Sequence, residues 1–147
     1  TDEVDPQGRL IKGGGGAHLR EKIVASLSDR MVVIAEAKKK VAQLGAFKLP
    51  VEVIRFAAPA LQPRLEALGS TPTLRLAKDG TPFTTDEGNY ISDCAFEKID
   101  EPEDLALALS TMPGVVGHGL FIGFADIVLI GTDAGVEVIE IVDEPSS

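Results

Sequence analysis

The chain has 147 residues, 44% of them hydrophobic, with 14 Lys+Arg against 23 Asp+Glu and a formal net charge of −9. That length fits one domain, or one domain with a small insert. The single cysteine, Cys94, excludes a disulfide framework and any cysteine-based zinc site, and the acidic balance argues against a nucleic-acid binder.

No apolar run approaches the roughly 18 residues a spanning helix needs, and no charged-then-apolar leader is visible, so no membrane partner is expected. Charge is unevenly spread. Residues 1–73 carry eleven basic and eight acidic side chains, and residues 74–147 carry three and fifteen. An anionic ligand is therefore better received by the first half. Asp100, Glu101, Glu103 and Asp104 read as a solvated helix start.

The chain opens on Thr1-Asp2-Glu3-Val4-Asp5, which reads as the middle of a longer pattern. Ile11-Lys12 runs into Gly13-Gly14-Gly15-Gly16. The spacing of Leu19, Ile23, Val24 and Leu27 predicts a helix over 17–27 with these four on one face. Residues 31–35 form a short β-branched run, expected as a buried strand, and Lys38-Lys39-Lys40 follow. Residues 51–56 alternate like a half-buried strand. A helix is expected over 59–68, with Leu61, Leu65 and Leu68 on one stripe and Gly69 as its stop. A strand over 73–76, a turn over 78–82 and a strand over 90–99 come next. A helix over 101–112 points Leu105, Leu109 and Met112 inward, and one strand is expected over 115–122. This β-α-β-β-α-β order is the ferredoxin-like arrangement. Strands over 125–131 and 136–142 complete the chain. The predicted organisation is an α/β unit over 1–45 and 120–147, interrupted by an α+β insert over 46–119.

The chemistry concentrates around the glycine run. Glycines between a strand and a helix let backbone N–H groups approach a ligand closely, and the helix N-terminus adds partial positive charge. Lys12 can place an ammonium beside this nest. Glu21, about one turn into the helix, can point a carboxylate at the same region. An anion hole, a cation and a carboxylate base are what enolisation next to a carbonyl requires. By themselves these residues also fit blander roles: a flexible loop, an exposed Glu21-Lys22 helix pair, and a solvated turn at Asp2, Glu3 and Asp5.

The longer string resembles the A-type ribose-5-phosphate isomerases. The resemblance runs through Asp2-Glu3-Val4-Asp5, Ile11-Lys12-Gly13-Gly14-Gly15, Arg20-Glu21-Lys22-Ile23 and Leu49-Pro50-Val51-Glu52-Val53. It continues in Thr85-Asp86-Glu87-Gly88-Asn89-Tyr90-Ile91, Pro113-Gly114-Val115-Val116 and His118-Gly119-Leu120-Phe121, and ends at Ala125-Asp126 and Ile130-Gly131. It implies a metal-free, cofactor-free interconversion of ribose 5-phosphate and ribulose 5-phosphate. It implies Glu21 as proton acceptor, with Lys12, Gly13, Gly14, Gly15, Asp2, Thr1 and Lys39 on the substrate. A Rossmann-like α/β domain with a ferredoxin-like insert, a homo-oligomer and a cytoplasmic location are implied as well. Glu36-Ala37-Lys38-Lys39 departs from the family's Asp-x-Ser-Lys pattern, and Glu87 stands where the family commonly has Asn. The family's first strand–helix units, with a phosphate-holding Thr-Gly-Ser-Thr loop, have no counterpart in these residues, so the chain is expected to lack the family's N-terminal segment.

Of the other residues, His18 is expected to cap the helix or lie exposed. His118 has no histidine at metal-ligand spacing, so no zinc role is expected. Cys94 reads as a buried small hydrophobe, Tyr90 and Phe96 as packing, and Asp86 and Asn89 as turn formers. Two other functions compete: a non-catalytic phosphosugar- or partner-binding protein, and a coenzyme A transferase-like enzyme with a glutamate nucleophile.

Overall fold

The computed structural model describes residues 1–142, so the last five residues of the expected 120–147 segment lie outside the described part. The fold is α/β, and the described residues form three small sheets and three α-helices. In chain order the elements are β1 (Glu3–Val4), β2 (Leu10–Ile11), α1 (His18–Leu27), β3 (Val32–Glu36), β4 (Leu49–Val53), α2 (Ala58–Ala67), β5 (Thr71–Leu74), β6 (Tyr90–Ala95), α3 (Pro102–Ser110), β7 (Val115–His118), β8 (Leu120–Phe121), β9 (Ile127–Thr132) and β10 (Gly135–Glu140). No described helix is long and apolar enough to cross a membrane.

The largest sheet is antiparallel with strand order β5-β6-β4-β7. Its central strand β4 departs from the expected alternation. It starts earlier, ends at Val53, and is buried on both faces. Leu49, Val51 and Val53 pack with Leu61 and Leu65 of α2 and Leu109 of α3, so the two helices cover one face. The other face meets the glycine loop and α1, where the polar Glu52 is also buried.

A second sheet, β10-β9-β3, joins the β9–β10 hairpin to β3 in parallel. Here β3 is not the fully buried strand expected. Val33 and Ala35 face the core, while Val32 and Ile34 are 49% and 74% exposed. One face of this sheet is bare among the described residues, so period-2 alternation decides which side chains are covered. The stripe on α1 behaves alike. Ile23, Val24 and Leu27 share a face, but that face is open and Leu27 is 82% exposed.

The third sheet, β1-β2-β8, had no counterpart in the expected elements. It exists because the single strand expected over 115–122 breaks at Gly119. Residues before the break pair with β4, and residues after it pair with β2. Gly119 donates its N–H to the Pro50 carbonyl at 2.9 Å and accepts the Lys12 N–H at 2.8 Å. A Cβ there would collide with the Lys12 carbonyl. This seam draws the strand leading to Lys12 against the start of β4.

Candidate active site

Residues 13–16 close into a turn in which the Gly16 N–H donates to the Gly13 carbonyl at 2.9 Å. Gly13 and Gly16 have φ of 106° and 84°, the left-handed region that favours glycine. There is no room for side chains behind them either. A Cβ on Gly13 would lie 2.8 Å from His18 Nδ1, and one on Gly16 would lie 2.7 Å from the Phe83 ring. Gly14 donates its N–H to Asp2 Oδ2 at 2.9 Å. A Cβ on Gly15 would meet nothing within 4 Å, so the turn opens to free space there.

Lys12, just before the turn, and Glu21, in the first turn of α1, converge across it. Lys12 Nζ stands 2.8 Å from Glu21 Oε2, with the lysine side chain largely buried and the glutamate 42% exposed. Both line a cleft of about 500 Å³ together with Arg20, Val24, Arg30 and Met31. Arg20 is held at the rim by Glu87 at 2.6 Å. A second space of similar size, about 510 Å³, lies between α2 and α3 around Phe96 and Lys98, and none of the expected site residues lines it.

The structure thus brings Asp2, Lys12, Gly13, Gly14, Gly15 and Glu21 together. Thr1 turns its hydroxyl to backbone, 2.9 Å from the Glu3 carbonyl and 3.0 Å from that of Ile11. Lys39 lies in a 3₁₀ turn, Ala37–Lys39, after β3. A bridge between Val4 and Lys40 sets this turn beside β1, two residues beyond Asp2. Lys38 and Lys40 are paired with Glu36 and Glu137, whereas Lys39 makes no ion pair among the described residues. A carboxylate beside an ammonium and open backbone N–H groups can remove a proton next to a carbonyl and hold the resulting oxyanion. No group of three or more His, Cys, Asp or Glu among the described residues is placed to hold a metal ion.

Three features behind this site were not anticipated. The expected exposed or capping His18 is in fact fully buried, with neither ring nitrogen hydrogen-bonded among the described residues. Burial, then Lys22 and Arg75, lower its pKa to about 4. A neutral ring 3.8 Å from Glu52 is a contact rather than an ion pair. Glu52 instead accepts from Thr85 Oγ1 at 3.2 Å and Asn89 Nδ2 at 3.0 Å, so Asn89 does more than shape its turn.

Next to it, Lys22 donates to the His118 carbonyl at 2.7 Å and lies over the Phe121 ring. Burial lowers its pKa to about 8. The His118 ring accepts from Leu120 N–H at Nδ1, leaving Nε2 to carry the proton toward Ser110 Oγ at 3.0 Å. Burial, Lys22 and His18 lower its pKa to about 3. Third, Arg75 forks onto Asp93 at 2.6 and 2.8 Å and also reaches the glycine turn. Arg75 is separated from the turn by some sixty residues, and its alternating strand carries no local sign of that contact.

Comparison with known proteins finds a single family. A family model described as ribose 5-phosphate isomerase A (phosphoriboisomerase A) matches residues 1–135. The chain is 52% identical over 138 residues to a ribose-5-phosphate isomerase A of Sphingopyxis alaskensis, covering 94% of this chain and 60% of that protein. It is 54% identical over 140 residues to that of a Roseiflexus species, again covering 94% and 60%. Among solved structures, the ribose 5-phosphate isomerase A of Neisseria gonorrhoeae superposes with a TM-score of 0.90 at 40% identity, over 97% of this chain and 62% of the other. A D-ribose-5-phosphate isomerase in complex with phospho-erythronic acid superposes at 0.91 and 38% identity, over 95% and 62%. The chain spans about 60% of the length of the curated relatives it matches.

Proposed function

We propose that this chain, which belongs to the ribose 5-phosphate isomerase A family, carries the proton-transfer centre of an aldose–ketose isomerase acting on D-ribose 5-phosphate and D-ribulose 5-phosphate. The observation that carries the reading is the 2.8 Å Lys12–Glu21 pair beside a glycine turn that opens at Gly15. Glu21 takes the proton from C2 of the open-chain aldose. The electron pair moves toward the C1 carbonyl and forms an enediolate. Lys12 and the turn's N–H groups stabilise its oxygen. Glu21 returns the proton to C1, and the C2 hydroxyl passes its own proton to the C1 oxygen as C2 becomes the ketone. Asp2 holds the turn through Gly14 and faces the sugar, and Lys39 serves the phosphate. A structural relative is in complex with phospho-erythronic acid, a phosphorylated acid whose carboxylate is chemically like the charged end of an enediolate.

In this reading the sheet β5-β6-β4-β7 with α2 and α3 is a ferredoxin-like insert over about 46–119. Its support is the strand order, with consecutive crossovers through the two helices. Segments 1–45 and 120–147 then belong to a Rossmann-like unit. The open apolar face of α1 and β3 supports a homo-oligomer, and the pentose phosphate setting carries a cytoplasmic location with it. The test is to incubate the chain with ribose 5-phosphate in deuterated water and follow ribulose 5-phosphate and deuterium at carbon. Label uptake at carbon is expected, with slow turnover to ribulose 5-phosphate by the 147-residue chain alone. Neither product nor exchange, with the sugar phosphate bound, would leave a binding protein.

A further inference from the structure

We infer that Arg75, braced by Asp93, is a positioning residue that aims the N–H groups of the glycine turn at the ligand. The inference rests on the isomerase reading for what the ligand is, but its geometry stands independently. Arg75 lies just past β5 and Asp93 lies on β6, both outside the catalytic turn. Their side chains are largely buried, and the guanidinium grips both carboxylate oxygens, at 2.6 and 2.8 Å. With its remaining donors it reaches the Gly13 carbonyl at 3.3 Å and the Gly14 carbonyl at 3.2 Å. The Phe83 ring, on which Gly16 rests, lies 5.7 Å from the guanidinium carbon.

A trans peptide points its C=O and the following N–H in opposite directions within one plane. Drawing the Gly13 carbonyl toward Arg75 therefore turns the Gly14 N–H away from it, onto Asp2 at 2.9 Å. Drawing the Gly14 carbonyl the same way turns the Gly15 N–H away from Arg75, and a Cβ on Gly15 would meet nothing within 4 Å. The Gly15 N–H makes no hydrogen bond among the described residues. Because Asp93 balances the charge of Arg75, the clamp supplies orientation rather than added positive potential. Glycine is the residue least able to hold such an orientation unaided. Only a planar fork with five donors can satisfy a carboxylate and two carbonyls at once.

The test uses Arg75→Lys in the 147-residue chain, with Asp93→Asn as a second variant. Lysine can still pair with Asp93 but cannot also hold both carbonyls. In folded Arg75→Lys, amide exchange at Gly14 and Gly16 should accelerate about tenfold or more while β4 and β6 stay protected. The dissociation constant for phospho-erythronic acid should rise by about tenfold, the scale of losing hydrogen bonds to a charged group. Asp93→Asn should move both readouts in the same direction. Unchanged exchange at the glycines in a folded variant overturns the clamp, and so does loss of the whole fold in both variants, which would make the pair a general staple. If exchange accelerates but wild-type protein neither binds phospho-erythronic acid nor isomerises ribose 5-phosphate, the clamp stands and the isomerase reading fails.

Discussion

Lys12 Nζ and Glu21 Oε2 stand 2.8 Å apart across the mouth of a turn that neither residue belongs to. The glutamate is half-exposed, so its carboxylate can leave the ammonium and reach a ligand in the cleft. Glu21→Gln keeps the shape and removes the base. It should depress kcat by about 10²–10⁴-fold, the usual scale for a positioned acid–base group. Stability should change by no more than about 1 kcal/mol, because the pair is partly solvated. Steady-state kinetics with direct titration of phospho-erythronic acid check both. Near-wild-type turnover would remove Glu21 from proton transfer, and a loss confined to binding would demote it to a positioning residue.

Two glycines near the site should respond oppositely to alanine. Gly15 has an ordinary backbone and open space around it, so Gly15→Ala should be neutral or stabilise by about 0.4–1 kcal/mol. The new methyl projects into the space left for the ligand, and binding of phospho-erythronic acid should weaken. At Gly119 the same methyl meets the Lys12 carbonyl and Pro50 Cδ. Gly119→Ala should therefore cost about 1–3 kcal/mol, the scale of overpacking. Urea unfolding of both variants beside ligand titration decides the matter. A stable Gly119→Ala, or a Gly15→Ala with unaltered affinity, would contradict the geometry.

The two lysines should discriminate by charge. Lys12→Ala removes a cation from the cleft, and Lys39→Ala removes one that no acidic side chain pairs with among the described residues. Each should weaken ribose 5-phosphate more than unphosphorylated ribose, by about the 1.5–3 kcal/mol of a charge-assisted hydrogen bond. Equal losses for both sugars after Lys39→Ala would move the phosphate elsewhere.

What the sequence disclosed, and what it hid, divides along a physical line. The glycine turn, Lys12 and the first turn of α1 are contiguous, and their chemistry depends on local backbone geometry, so they could be read directly. The helices α2 and α3 were legible because their apolar spacing matches the face they bury. The stripe on α1 has equally good spacing, yet Val24 and Leu27 are open. Periodicity marks a face but not what covers it. The break at Gly119 was hidden because β-branched and apolar residues continue on both sides. Only pairing with Pro50 and Lys12, distant in sequence, splits the strand. His18 misled because a polar residue at a helix start is ordinarily solvated or capping. Here Gly13 packs against the ring and Glu52 lies 3.8 Å from it. Arg75 was invisible as a site residue for the same reason: its partners belong to another part of the chain.

The buried basic cluster should make the fold acid-labile. His18 and His118 have pKa values lowered to about 4 and about 3, chiefly by burial, with Lys22 next for each ring. Arg75 adds to the effect at His18, while Glu21 and Asp93 oppose it. In the unfolded chain both rings titrate near 6.5. Between about pH 6.5 and 3 the unfolded state therefore binds more protons than the folded one, so stability falls as pH falls. Their contribution is complete above about pH 6.5 and gone only below about pH 3. Lys22, lowered to about 8 by burial, has the same sign in a different window. Its penalty is fully present below pH 8 and relieved as pH rises toward the ordinary lysine value near 10.5. The two rings together set a loss on the order of a few kcal/mol between pH 7 and 4. Urea midpoints across that range should fall accordingly. These are the only two histidines in the chain, so both imidazole C–H signals in a proton NMR titration are theirs. Neither should shift appreciably between pH 8 and 5.5. A ring titrating near pH 6.5 would mean that it is solvated in the folded protein. If that ring were His18, the packing of Gly13 against it would be wrong, and with it the rigid backing of the turn.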